Sequence, residues 1–97
     1  MIKIKARVYF YKHHGRETPI DSGYRPAFCF EQKKDFFFTG HIELVEKKLF
    51  EVGMQDEVYI TFINADLLKG QIKEGKTFSI NEPPIEVGEG EILEIIT

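Results

Sequence analysis

The sequence predicts an all-β domain, a barrel or a sandwich, on three observations. Apolar and polar residues alternate with period two in short runs, Gly- and Pro-rich turns separate those runs, and no amphipathic helix of about 10 to 15 residues lies between them. Ninety-seven residues with 42% hydrophobic content suit a single domain spanning residues 1–97. A domain of that size buries about 65% of the surface that its unfolded chain exposes, so one core suffices.

The first strand is the clearest. Ile2, Ile4, Ala6, Val8 and Phe10 alternate with Lys3, Lys5, Arg7 and Tyr9, which gives one apolar and one solvated face. From Lys12 to Pro26 the chain is rich in Gly, Pro, Asp and Ser, and its two X-Pro steps hold Thr18 and Arg25 toward extended geometry, so an ordered loop is expected there. Loops of this length are usually functional or mobile. Ala27 to Gln32 sets Phe28 and Phe30 on one face. Phe36 to Val45 sets Phe36, Phe38, Ile42 and Leu44 on one face and Phe37, Thr39, His41 and Glu43 on the other. Gly40 inside that run suggests a bulge or sharp bend at a barrel corner.

Glu51 to Asp56 reads as a turn that launches the next strand, in which Val58, Ile60 and Phe62 alternate with Glu57, Tyr59 and Thr61. Lys76 to Glu82 places Phe78 and Ile80 against Thr77 and Ser79. Pro83-Pro84 then breaks the ladder on the rim, and Ile85 to Ile96 resumes it with Gly88 and Gly90. Only Val45 to Phe50 and Ala65 to Gln71 suit a helical turn, and both are too short to support a helix.

Composition excludes several classes. The single Cys29 forms no intrachain disulfide and no apolar leader follows Met1, so a reducing cytoplasm is the expected location. No apolar run approaches the roughly 20 residues of a membrane-spanning helix, and no membrane partner is expected. The net charge of −3 argues against a general nucleic-acid binder. Charge is nevertheless uneven: residues 1–34 carry eight basic side chains against three acids, and residues 82–97 carry five acids and no base. Neighbouring basic and acidic strands that pair across one sheet would account for this.

Few residues suit catalysis. His13, His14, His41 and Cys29 match no zinc spacing, and adjacent strand residues point to opposite faces, so no metal or other cofactor is expected. Cys29 reads as a small half-buried hydrophobe, since a catalytic thiol needs a nearby base and His41 reaches it only in a favourable strand register. The phosphate-cradling and hydrolase motifs are missing, so no nucleotide is expected to bind this chain and no enzyme activity is expected. Glu82, Glu86, Glu89, Glu91 and Glu94 read as the solvated face of the last strand. In the loop, Arg16 and Arg25 are planar donors beside rigid prolines, arranged for phosphate or carboxylate recognition, with an internal salt bridge as the alternative for Arg25. Tyr24 is expected to pack its ring over the barrel mouth and cap a turn with its hydroxyl.

Several motifs recur in order along the chain: Gly15-Arg16-Glu17-Thr18-Pro19, Gly23-Tyr24-Arg25-Pro26-Ala27-Phe28, Phe38-Thr39-Gly40-His41-Ile42-Glu43-Leu44, Gly53-Met54-Gln55-Asp56, Phe78-Ser79-Ile80-Asn81-Glu82 and Val87-Gly88-Glu89-Gly90. Together they resemble the third, C-terminal domain of elongation factor Tu. The resemblance implies a six-stranded antiparallel barrel of Greek-key type, here expected as a stand-alone barrel with no GTPase domain before it. In that family the barrel contacts the T-stem of aminoacyl-tRNA and docks the nucleotide-exchange factor, and the matched tRNA-facing positions are Arg16, Thr39 and Gly90.

The chain departs from the family at Glu17 and Ala27, where it has His and Gln, and at Asn81 and Ile85, where it has two closing-loop arginines. Pro83-Pro84 replaces a Gly-Gly. A lost Arg and an added Glu both oppose phosphate binding. The expected function is therefore docking of a protein partner of the translation apparatus through the Lys12–Pro26 loop and the adjacent rim. Binding of tRNA or other RNA through Lys3, Lys5, Arg7, Arg16 and Arg25 is the alternative.

Overall fold

The computed structural model describes residues 1–12, 19–30, 37–45, 49–63, 70 and 72–96. Eight strands follow one another: β1 (Ile2–Phe10), β2 (Ile20–Asp21), β3 (Ala27–Phe30), β4 (Phe38–Leu44), β5 (Leu49–Phe50), β6 (Gln55–Phe62), β7 (Thr77–Glu82) and β8 (Ile85–Ile95). Six of them close into a barrel in the order β1-β6-β4-β3-β7-β8, with every pair antiparallel. β3, β4 and β6 follow one another as neighbours, and β7 returns to lie beside β3, which is a Greek-key connection. Among the described residues no helix is long and apolar enough to cross a membrane.

Period two decides which side chains enter the barrel. Along β1 the apolar set Ile4, Ala6, Val8 and Phe10 is 0–1% exposed, and Val58, Ile60 and Phe62 do the same on β6. One end of the interior is aromatic. Phe28 meets Phe62 edge-on at 5.2 Å and Phe78 at 5.6 Å between ring centroids, and Phe30 touches Phe38, Phe62 and Phe78. At the other end Phe10 packs edge-on against Phe50 at 5.2 Å, and Tyr24 lies beside it at 6.1 Å. Offset and edge-to-face rings of this kind add about 0.5–1.5 kcal/mol per pair beyond the area they bury.

The described part of the Lys12–Pro26 segment, residues 12 and 19–26, is more regular than its composition suggests. Ile20–Asp21 forms a two-stranded sheet with Leu49–Phe50, which places the fully buried Ile20 and the 2% exposed Phe50 over the barrel end. Gly23 donates to Ile42 O, Ile42 to Tyr24 O and Gly40 to Pro26 O, so residues 23–26 run alongside β4 before β3 begins. Of the Val45 to Phe50 segment, which suited a helical turn, Leu49–Phe50 is strand, with Phe50 packed against Phe10, and residues 46–48 lie outside the described residues. The second such segment, Ala65 to Gln71, falls outside the described residues except for residue 70.

Gly40 does not shift the register. Ile42 faces Ile60 and Gly40 faces Phe62 in continuous pairing, so the expected bulge is not at this position. A Cβ at Gly40 would stand 2.6 Å from Phe28 Cε2 and 2.9 Å from Ile60 Cγ2, so the glycine makes room for the Phe28 ring. The register shifts fall instead between Lys5 and Ala6 and between Ile80 and Asn81, and in both cases the extra residue belongs to β8, Leu93 and Val87 respectively. Bulges increase local twist and bend a strand, so the 11-residue β8 is where the barrel turns its corners. Pro83 and Pro84 form the tight exposed turn between β7 and β8, on the rim as expected.

Candidate binding surface

Outward-pointing residues of neighbouring strands line up in rows. Lys3 faces Thr61 across β1 and β6, and Thr61 faces His41 across β6 and β4. The hydrogen bonds from Ile42 to Tyr24 O and from Gly40 to Pro26 O bracket Arg25 opposite His41. With strands about 4.8 Å apart, this row of Lys3, Thr61, His41 and Arg25 spans about 14 Å of the barrel wall. Beside it opens a recess of ≈ 230 Å³ whose lining includes Met1, Arg25, Thr39, His41, Thr61 and Ile63.

Two features give that recess its chemistry. Met1 is 82% and Ile63 67% exposed, a pair of large apolar side chains left outside the core. Arg25 is exposed and makes no salt bridge to any described residue, so the internal ion pair weighed for it is not formed there. Arg25 and Thr39, singled out separately in the sequence, thus share one site. Met1, Thr61, Ile63 and His41 were not read as part of it. Ile63 carried a usable signal: Ile60 and Phe62 point inward, so an isoleucine at 63 has outward parity at a strand end.

The other basic residues of β1 are spent inside the sheet. Lys5 Nζ lies 3.2 Å from Glu57 Oε1, and that hydrogen bond, with the charge of Glu57, raises the pKa of the Lys5 ammonium. Arg7 faces Glu91 directly and its Nη1 lies 3.8 Å from Glu91 Oε1. Lys3 places its Nζ 4.9 Å from the centroid of the Tyr59 ring. Two of the eight basic side chains in residues 1–34 thus pair across strands, with acids of β6 and β8.

Gly90 stands apart from this site. It lies on β8 between Val8 and Phe78, on the wall across the barrel from β4, and a Cβ there would meet Phe78 Cζ at 2.5 Å and Arg7 O at 2.9 Å. Packing against the Phe78 ring is sufficient reason for glycine at this position. Arg16, His13 and His14 lie outside the described residues. Cys29 and His41 do not meet: Phe28 faces Phe38 and Ala27 faces Thr39, so the register sets His41 four residues from the position opposite Cys29, about 13 Å along the strand. Among the described residues no three His, Cys, Asp or Glu side chains converge as a metal site requires.

At the opposite rim two tyrosines hold the diproline turn. The Tyr24 hydroxyl donates to Glu82 Oε2 and the Tyr11 hydroxyl donates to Glu86 Oε2 at 2.5 Å, one glutamate on each side of Pro83-Pro84. Burial first, and then the hydrogen bond to Glu86, raise the Tyr11 pKa above the ordinary tyrosine value. A folded pKa above the unfolded one means that the folded state holds the proton more tightly. This contribution is complete below about pH 10 and is lost as pH rises toward the folded value. Thermal melts at pH 8 and pH 11 are expected to show a larger loss of Tm in the native chain than in Tyr11→Phe. Equal losses would mean that the phenol contributes nothing to alkaline stability.

No protein-family model matches the chain.

Proposed function

We infer that this chain is a non-enzymatic binding barrel of the kind that forms the third domain of elongation factor Tu, and that it docks a protein partner of the translation apparatus. The docking surface is the recess where Met1, Thr39, His41 and Ile63 meet Arg25. The observation that carries this reading is the pairing of exposed Met1 and Ile63 with an arginine that has no salt bridge among the described residues. Apolar anchors beside an arginine are the composition enriched at the centres of protein interfaces. Thr39, His41 and Thr61 lie on β4 and β6, and Met1 and Ile63 directly adjoin the ends of β1 and β6, so the backbone beneath the recess is already ordered.

RNA binding is the second reading, and the row of Lys3, His41 and Arg25 favours it. Against it stands the pairing of Lys5 with Glu57 and of Arg7 with Glu91, which removes two of the cations that phosphate neutralisation would use. Affinity capture from a lysate, with and without ribonuclease, separates the two. The expected result is a protein that survives ribonuclease and is lost with Ile63→Asp or Arg25→Glu, each weakening binding about tenfold while leaving the melting curve intact. Retention by both variants sinks the recess. Binding that vanishes with ribonuclease, and that falls steeply between about 50 and 200 mM salt, moves the assignment to RNA.

A further inference from the structure

Beyond β4 the barrel wall carries a groove of ≈ 530 Å³ across β3, β7 and β8. Cys29 faces Ser79 and Ser79 faces Glu89, while Asn81 faces Ala27 on one side and Glu86 on the other. Glu89 makes no salt bridge with any described residue. Tyr11 holds Oε2 of Glu86, which fixes that carboxylate and leaves its second oxygen available. Phe37 is 51% exposed at the groove edge, and no described lysine or arginine lines it.

Asn81 gives the groove its polarity. It is the one polar side chain buried among the described residues, at 8% exposure. Its Nδ2 donates to Ser79 Oγ at 3.0 Å and to Ala27 O at 3.5 Å, while Ser79 Oγ itself donates to Cys29 O. Ala27 O can only accept, which places Nδ2 rather than Oδ1 toward it. Oδ1 is left accepting no hydrogen bond from any described residue, although a buried acceptor without a donor costs about 1–3 kcal/mol. An amide oxygen with no donor among the described residues, two carboxylates and an aromatic face thus line one groove.

We propose that this groove binds an arginine side chain presented by an extended segment of a protein partner. A guanidinium supplies several donors in one plane, spans neighbouring acceptors, sheds water more easily than an ammonium and stacks on an aromatic ring, so it suits a groove that offers acceptors on Asn81, Glu86 and Glu89 and an aromatic side chain, Phe37, at its edge. The groove and the recess share no lining residue and β3 runs between them, so this assignment does not depend on the recess reading.

The test titrates the intact chain with the amidated peptide Gly-Arg-Gly-Arg-Gly and with its lysine counterpart, followed by amide shifts. Shifts centred on Cys29, Ser79, Asn81 and Glu89 are expected, with the arginine peptide bound about tenfold more tightly than the lysine one. Glu89→Lys is expected to weaken it about tenfold, and Glu74→Lys, an equal charge change in the turn before β7, less than about twofold. Phe37→Ala, outside the strands, is expected to weaken it about threefold and carries the test should Glu89→Lys fail to fold. Three results overturn the proposal: equal weakening by Glu74→Lys and Glu89→Lys, equal affinity for the two peptides, or a mass that rises with concentration together with shifts at both Cys29 and Arg25. The last would put a second copy of the chain in the groove.

Discussion

Phe28→Ala is expected to lower the unfolding free energy by about 3–5 kcal/mol, the range for removing a fully buried phenylalanine. Phe28 is 0% exposed, with its ring edge-on to Phe62 and packed on Phe78, and it fills the space that Gly40 leaves open. It therefore joins β3 to β4, β6 and β7 at once. Domains of this size have about 5–15 kcal/mol in total, so the variant should lie close to unfolding, with Tm lowered by roughly 15 °C or more. Urea titration at constant m-value measures it, and a loss below about 1 kcal/mol would show that the aromatic cluster does not hold the barrel together. Gly40→Ala should destabilise on its own by pushing against the Phe28 ring. Placed on Phe28→Ala, it should cost less than in the native chain, because its principal clash has gone.

Gly88→Ala is expected to cost about 1–3 kcal/mol although it adds a single methyl group. The new Cβ would lie 2.5 Å from the backbone oxygen of Tyr9 and 3.3 Å from Phe10 Cα. A flexible side chain could yield to it, but this carbonyl is set between β1 and β8, which close the barrel, so the two strands must part. Slower-exchanging amides of β1 and β8 should lose protection first, and a melting temperature within about 2 °C of the native chain would refute the account. Gly90→Ala meets a ring, Phe78, as well as the Arg7 carbonyl, and should also read out as stability. Its effect on partner binding is expected to follow the fraction folded.

Much of the barrel was legible because burial alternates with a period the chain displays openly. β1, β6 and β7 follow from Ile4 to Phe10, Val58 to Phe62 and Phe78 to Ile80, residue by residue. Tyr24 over the barrel end was legible too, although its hydroxyl partner Glu82 was not, since 58 residues separate them. β2 was hidden because two residues carry no period, and Ile20–Asp21 becomes a strand only when Leu49–Phe50 is brought beside it. The site was legible in part. Arg25 stood out as a planar donor beside a proline and Thr39 from motif resemblance, whereas Met1 and Ile63 join them only through the pairing of β1, β6 and β4.

What the sequence by itself determined is the all-β class, the inward and outward faces of the long strands, and the punctuation at Gly23, Gly53 and Pro83-Pro84. These depend on local sterics and on a two-residue repeat, which are written into consecutive residues. Only the tertiary structure decided how the charges are used. Lys5 and Arg7 are basic in the sequence but pair with Glu57 and Glu91, while Arg25 makes no salt bridge with any described residue. It also moved the bending of the barrel from Gly40 to the two bulges of β8, and separated Cys29 from His41. The physical reason is register: a shift of one residue between strands reverses which side chains face each other, and register is set by how all six strands close around one core.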